Sequence, residues 1–213
     1  MKYDLKKQMA VSSHIYFNPR VKHLDDIRVI IESDNAFILE TVPGDKSMYH
    51  QLSKYIHHLV TKSGILCQGL NSDYIKRSFR TSDAIIVLSS KAINILPNGN
   101  VFSFALIQFD EVNNFLYIDV ICSNSGIKYA GDLLLSSIDR LCKSLLISKI
   151  KLKSVSSAIT FYEKYGFRKK AAICDPGHLC EMEKVIQRSS KTTSKSKSRS
   201  KTSKSNTKTR KSK

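Results

Sequence analysis

The stretch Ala158-Ile159-Thr160-Phe161-Tyr162-Glu163-Lys164-Tyr165-Gly166-Phe167 decides how this chain of 213 residues folds. Ala158 and Phe161 lie three apart, on one face of a helix, and Tyr162 lies one residue round from that face. Gly166 stops the helix, and Phe167 begins an apolar, extended run. The stretch therefore reads as a short helix packed on a sheet, with a return strand directly behind it. Tyr162 is either an amphipathic core aromatic with its hydroxyl at the rim, or a phenol placed to hand a proton to a leaving group.

Downstream, Phe167 to Cys174 and Leu179 to Ile186 read as a hairpin about the turn Asp175-Pro176-Gly177-His178. Upstream, Lys149 to Leu152 reads as a strand. Before it, Leu134, Ile138, Leu141 and Leu145 recur on one helical face, widened by Leu135, Cys142 and Leu146. Ahead of that helix stand three strands: Ala84 to Leu88, Val101 to Phe109 and Phe115 to Cys122. The turn residues Pro97-Asn98-Gly99-Asn100 and Asn113-Asn114 join them into an antiparallel meander. Earlier still, Met48, Leu52, Tyr55, Ile56, Leu59 and Val60 repeat at helical spacing, with Asp45 or Ser47 as N-cap and Gly64 as stop. A second short helix is expected from Asp73 to Arg80. Ala36 to Val42 reads as the first strand, closed by Pro43-Gly44-Asp45. Met1 to Asp34 shows no clean period and receives no assignment. A sheet that begins as a meander and then takes a helical crossover is mixed α/β.

Composition divides the chain. From Gln187 to Lys213 there is no Leu, Ile, Val, Met or aromatic residue, so that stretch has too little apolar surface to offset the entropy of ordering and is expected to be disordered. Eleven of the 35 Lys and Arg residues lie in it, with no acid, which leaves 24 bases against 18 acids elsewhere. The formal charge of +17 is thus mostly a property of the tail. The expected organisation is an N-terminal extension over 1–34, a domain over 35–186 and a basic tail over 187–213. No apolar run approaches the roughly 20 residues of a spanning helix, and no apolar block follows the charges at the N-terminus. No membrane association and no secretion are expected. Five scattered cysteines fit buried thiols in a reducing, intracellular compartment, cytoplasm or nucleus.

The pattern Ala158-x-x-Phe161-Tyr162-x-Lys164-x-Gly166-Phe167, with the element order from about Ala36 to Ile186, resembles the GNAT superfamily of acyl-CoA-dependent N-acetyltransferases. The resemblance implies a GNAT-type mixed sheet with antiparallel meander, helical crossover and C-terminal hairpin. It implies acetyl-CoA as acyl donor, a primary amine as acceptor, and Tyr162 as general acid on the departing thiolate. It also implies that the backbone at Val120, Ile121 and Cys122 takes the pantetheine arm as an extra strand. The family's Q/R-x-x-G-x-G/A loop, which binds the coenzyme A pyrophosphate, corresponds here to Gly126-Ile127-Lys128-Tyr129-Ala130-Gly131. Only the final Gly matches: Gly126 replaces Gln or Arg, and Tyr129 replaces a Gly. Asp132 follows directly, and Lys128 offsets its charge. Val155 stands where many members have Asn, so a hydroxyl from Ser154, Ser156 or Ser157 is expected to serve the cofactor instead.

From the residues alone the same loop has two readings. A Gly-containing loop that opens a helix leaves free N–H groups that attract phosphate; it is equally a plain strand-to-helix turn with Gly131 as cap. Direct transfer needs a neutral amine, and about one lysine side chain in a thousand is neutral at pH 7. Asp110, Glu111 and Asp119 lie on or beside the meander, and none is assigned as base. His50, His57 and His58 lack metal-ligand spacing, and Cys174, His178 and Cys180 lack a fourth ligand. Cys122 has no histidine in register and is not read as a nucleophile. The alternative function is a catalytically weak binding protein of the same fold, whose basic tail holds nucleic acid with little sequence preference.

Overall fold

A computed structural model of the chain describes residues 3–4, 11–18, 30–31, 39–41, 46–63, 66–67, 70–90, 101–171, 174 and 179–187. The first elements are β1 (Tyr3–Asp4), β2 (Val11–Phe17), β3 (Ile30–Ile31), β4 (Leu39–Thr41), α1 (Lys46–Ser63) and α2 (Ser72–Thr81). There follow β5 (Ala84–Ser90), β6 (Val101–Asp110), β7 (Phe115–Ser123), β8 (Ile127–Lys128) and α3 (Ala130–Ser144). The chain closes with β9 (Lys149–Ser154), a tight turn at Ser156–Ala158, α4 (Ile159–Lys164), β10 (Arg168–Lys169) and β11 (Cys180–Val185).

Among the described residues, nine strands form one sheet in the order β10-β11-β9-β7-β6-β5-β2-β4-β3, and β1 pairs with β8 apart from it. The meander β5–β6–β7 is antiparallel. Helix α3 then carries the chain across to β9, which lies parallel to β7. Strand β11 returns antiparallel to β9, and β10 pairs with β11. This is the expected mixed sheet. The hairpin ladder is shorter than expected: Arg168 and Lys169 pair with Glu183 and Met182, and the Lys170 N–H donates to Glu181. Its turn, the proposed caps Asp45 and Gly64, and the tail beyond Gln187 lie outside the described residues.

The first strand of the sheet differs from the expectation. The partner of β5 is β2, from the stretch read as an extension, with Val11 to Phe17 opposite Ser90 to Ala84. The expected strand at 36–42 supplies only β4, one place further out and parallel to β2. Ser12, Ser13 and His14 hide the apolar alternation of β2. Ser13 is nonetheless fully buried, because its hydroxyl hydrogen-bonds Ser137 of α3 at 2.6 Å.

Helices cover both faces. Tyr49, Leu52 and Ile56 of α1, with Ile75 and Phe79 of α2, pack on Ile85, Val87, Phe104 and Leu106. Leu134, Ile138 and Leu141 of α3, with Tyr162 and Phe167, pack on Ile86, Ala105, Ile107 and Ile118 from the other side. Leu134, Ile138 and Leu141 are fully buried, each worth about 1.5–3 kcal/mol. Asn71 caps α2, its side chain accepting from the N–H groups of Asp73 and Tyr74. Gly166 ends α4 at φ +83°, a conformation that favours glycine.

Strand β7 carries a bulge. Leu106 lies opposite Val120 and Ile107 opposite Ile118, so Asp119 is one residue in excess. The bulge exchanges the faces: Leu116 and Ile118 pack under α3, whereas Val120 and Cys122 pack under α1 and α2. Pairing with β9 ends at the same place, at Ile118 opposite Leu152.

The cysteines correct the expectation of free thiols. Cys67, in the segment between α1 and α2, is disulfide-bonded to Cys122 of β7, and Cys174 to Cys180. The fold brings Cys67 and Cys122 together across 55 residues, whereas Cys174 and Cys180 are 6 apart in sequence; the Cα separations are 4.8 and 5.3 Å. Cys142 is the free cysteine, and burial raises its thiol well above the usual range. No helix among the described residues is long and apolar enough to cross a membrane.

Candidate active site

Beyond Ile118, strand β7 holds β6 on one edge and no strand on the other among the described residues. Val120, Ile121 and Cys122 form this edge. Val120 and Cys122 turn their side chains into the α1–α2 core, and Ile121 packs with the α3 cluster. Backbone N–H and C=O groups therefore line this edge. The Cys122 sulfur is taken up by the disulfide with Cys67.

The loop that follows is built on its own side chains. Asn124 accepts from the Gly126 N–H at 2.9 Å through its side chain and from the Ile127 N–H at 3.0 Å through its carbonyl. The Gly126 N–H is thereby committed within the turn. Ile127 and Lys128 pair in parallel with Tyr3 and Asp4. Tyr129 then takes φ +67° and ψ 8°, the left-handed conformation. A side chain there costs about 1–2 kcal/mol. The loop thus keeps a glycine-type backbone at the position where the sequence has lost its glycine. Lys128 Nζ lies 4.8 Å over the Tyr129 ring, a cation–π contact that offsets part of this cost. The Ala130 carbonyl accepts from the buried Ser103 hydroxyl at 3.1 Å, which fixes the start of α3.

Gly131 has a role that its place in the motif did not disclose. A Cβ there would come within 3.2 Å of Phe161 Cζ. The missing side chain lets α4 press its aromatic ring against the first turn of α3. Asp132 makes a second tie, accepting a hydrogen bond from the Tyr165 hydroxyl. Burial, then this bond, raise the Tyr165 phenol well above its ordinary value. Asp132 is therefore engaged by α4, and its charge also suits a helix N-terminus.

Tyr162 is 7% exposed, within the α3–α4 core. Its ring stands edge-on to Phe161 at 5.3 Å and to Phe167 at 5.7 Å. Burial pushes its phenol up to about 12. Tyr162 is thus a core aromatic whose phenol stays protonated, held in place by its ring neighbours. Ser156 is exposed in the turn after β9, whereas Ser154 is buried and donates to the Val155 carbonyl at 2.9 Å.

Of the carboxylates, Asp110 and Glu111 stand at the far end of the meander, at the β6–β7 turn. Hydrogen bonds from Asn113 hold the Asp110 carboxyl below its usual range. Asp119 stands at the bulge instead, and accepts from the Tyr74 hydroxyl of α2 at 2.6 Å. Burial, then Asp119, push Tyr74 up to about 12. Tyr74 was missed by sequence reasoning, since nothing in the helical period of α2 reports a bond 45 residues away. Tyr162 and Asp119 thus lie on opposite faces of the sheet, either side of the place where β7 and β9 part.

No family model and no curated protein matches the sequence. Solved structures do resemble it. Tetrahymena GCN5 is 15% identical, with 76% of this chain and 96% of that chain covered and a TM-score of 0.47. Ard1 from Thermoplasma volcanium is 15% identical over 66% and 94% of the two chains, with a TM-score of 0.47. The PaiA N-acetyltransferase from Thermoplasma acidophilum, solved in complex with coenzyme A, is 18% identical over 65% and 93%, with a TM-score of 0.42. The meander, the α3 crossover to a parallel β9, the parting of β7 from β9 and the closing hairpin give this chain a GNAT-type fold.

Proposed function

We propose that the chain is an acyl-CoA-dependent N-acetyltransferase that moves an acetyl group from acetyl-CoA to a primary amine by direct transfer. The observation that carries this reading is the parting of β7 from β9 after Ile118 and Leu152, with Tyr162 on one side of the opening and Asp119 on the other. The domain that does this runs from β2 to Ile186.

The residues fit the donor as follows. Backbone groups of Val120, Ile121 and Cys122 receive the pantetheine arm as an added strand. Free N–H groups at the start of α3, with Lys128, receive the pyrophosphate. The exposed Ser156 hydroxyl serves the same side. Acetyl-CoA, when bound, supplies an activated acyl carbon at the opening.

Asp119, held by Tyr74, draws a primary ammonium to the α1–α2 face and takes its proton, directly or through water. Restoring the neutral amine is worth about 4 kcal/mol. The nitrogen then forms the new N–C bond as the C–S bond breaks. Tyr162 donates to the departing sulfur. Complete proton transfer from a phenol at about 12 to a thiolate at about 8.5 is uphill by roughly 5 kcal/mol. The contribution of Tyr162 is therefore a hydrogen bond that strengthens as charge builds on sulfur.

The test is thiol release from acetyl-CoA across a panel of primary amines. Tyr162→Phe is expected to lower turnover by about 10²–10⁴-fold. Unchanged turnover at every pH would remove the role given to Tyr162. Nucleic-acid binding by residues 188–213 rests on composition alone.

A further inference from the structure

A cavity of about 290 Å³ opens between α1 and α2, away from the opening just described. It lies at the start of β5: Asn18, in its wall, donates to the carbonyl of Ser82 and, through its backbone, to that of Asp83. The α3 loop lies past the other end of β5, where Leu88 and Phe102 pack on Ala130.

The lining of this cavity is one-sided in charge. Helix α1 contributes His50, Lys54 and His57, and α2 contributes Lys76 and Arg80. No carboxylate lines it among the described residues. Helix α1 contains no Asp or Glu along its 18 residues, and the one acid of α2, Asp73, is in the first turn. No ion pair reaches Lys54, Lys76 or Arg80 among the described residues. Lys76 and Arg80 stand four apart on α2, and like charges at that spacing destabilise a helix. Lysine 76, in the middle of α2, gains nothing from the helix dipole that favours Arg80 at its end. An anion between the two helices turns this repulsion into attraction.

The shape narrows the class of anion. The walls close on Tyr49 and Phe79, both buried, and the Tyr49 hydroxyl is spent on the Phe79 carbonyl at 2.8 Å. A volume near 300 Å³ is at the small end of ligand pockets, and a nucleic-acid backbone tracks an open groove instead. A guanidinium beside ammonium groups is suited to phosphate oxygens, through paired, charge-assisted hydrogen bonds. We propose that the cleft between α1 and α2 binds a small phosphorylated ligand, with Lys54, Lys76 and Arg80 holding the phosphate and the Tyr49 and Phe79 walls accepting the apolar part.

Histidine side-chain resonances of the full chain report this site without interference from the tail, which contains no histidine. The probes are inorganic phosphate, adenosine monophosphate and a single-stranded oligonucleotide, each titrated at physiological salt. His50 and His57 are expected to shift on one saturating curve with the two small probes, more tightly with the nucleotide, while the buried His14 stays still. Lys76→Gln with Arg80→Gln is expected to weaken the curve at least about tenfold, the effect of removing charge-assisted hydrogen bonds. Lys54→Gln, exposed on α1, provides an independent variant should the double one unfold. Shifts that never saturate, or that persist unchanged in the variants, would overturn the site. Tighter binding of the oligonucleotide than of either small probe would reassign the surface to nucleic acid and overturn the ligand class.

Discussion

The Tyr165 hydroxyl donates a hydrogen bond to the Asp132 carboxylate and so ties the end of α4 to the first turn of α3. Both residues are half-buried, and the bond closes the side of the α3 loop that faces α4. Tyr165→Phe is expected to lower stability by about 1–2 kcal/mol, since it strands a partly buried carboxylate. A double-mutant cycle with Asp132→Asn, read by urea unfolding, checks this. A coupling near zero would mean that the two residues do not act as a pair.

Gly131 and Phe161 make the second tie. An alanine in a helix normally gains about 1 kcal/mol over glycine. Here its Cβ meets Phe161 Cζ at 3.2 Å, and overpacking costs about 1–3 kcal/mol. Gly131→Ala is therefore expected to destabilise by about 1 kcal/mol, and Phe161→Leu in the same chain to relieve that loss. Thermal unfolding of the parent chain and the two variants is the measurement, and a more stable Gly131→Ala protein would contradict the contact.

These two contacts show where the sequence could and could not be read. The meander, α3 and the hairpin were legible because turn residues and apolar periods are local. Strand β2 was not, because its buried Ser13 is satisfied only by Ser137, 124 residues away. The bulge at Asp119 was not legible either. The run from Phe115 to Cys122 alternates without a break in the sequence, and the extra residue shows only against β6. At the candidate site, Tyr162 and the Gly131 loop were named from the sequence pattern. The engagement of Asp132, the use of the Gly131 gap by Phe161, and the Tyr74–Asp119 pair all depend on long-range packing. The Cys67–Cys122 pair, 55 residues apart, was missed for the same reason.

Tyr129 tests the loop backbone. Tyr129→Ala keeps a side chain at φ +67° and loses the contact with Lys128; Tyr129→Gly loses the same contact and removes the strain. The glycine variant is expected to be the more stable of the two by about 1 kcal/mol. Chemical denaturation decides it, and a more stable alanine variant would mean that the left-handed turn is wrong.

Alkaline unfolding reports Tyr162. Its phenol titrates near 10 when unfolded and is pushed up to about 12 by burial when folded. The native chain holds that proton over the window in which the unfolded chain loses it, so stability is intact below pH 10 and falls between pH 10 and 12. The loss from this residue is about 3 kcal/mol. Tyr162→Phe is expected to flatten the slope by that amount in urea titrations at fixed pH. An unchanged slope would show that the phenol is not buried as described.

The central claim is that the parting of β7 from β9 takes an acyl-CoA, and melting of the full chain with acetyl-CoA tests it most directly. At a hundredfold excess over the dissociation constant, binding to the folded state alone adds about 2.7 kcal/mol. For a chain of this size that corresponds to a rise in melting temperature of roughly 5–10 °C. A rise of this order, reduced in a variant with Lys128→Glu at the α3 loop, is the result predicted. No shift at saturating acetyl-CoA would contradict the account.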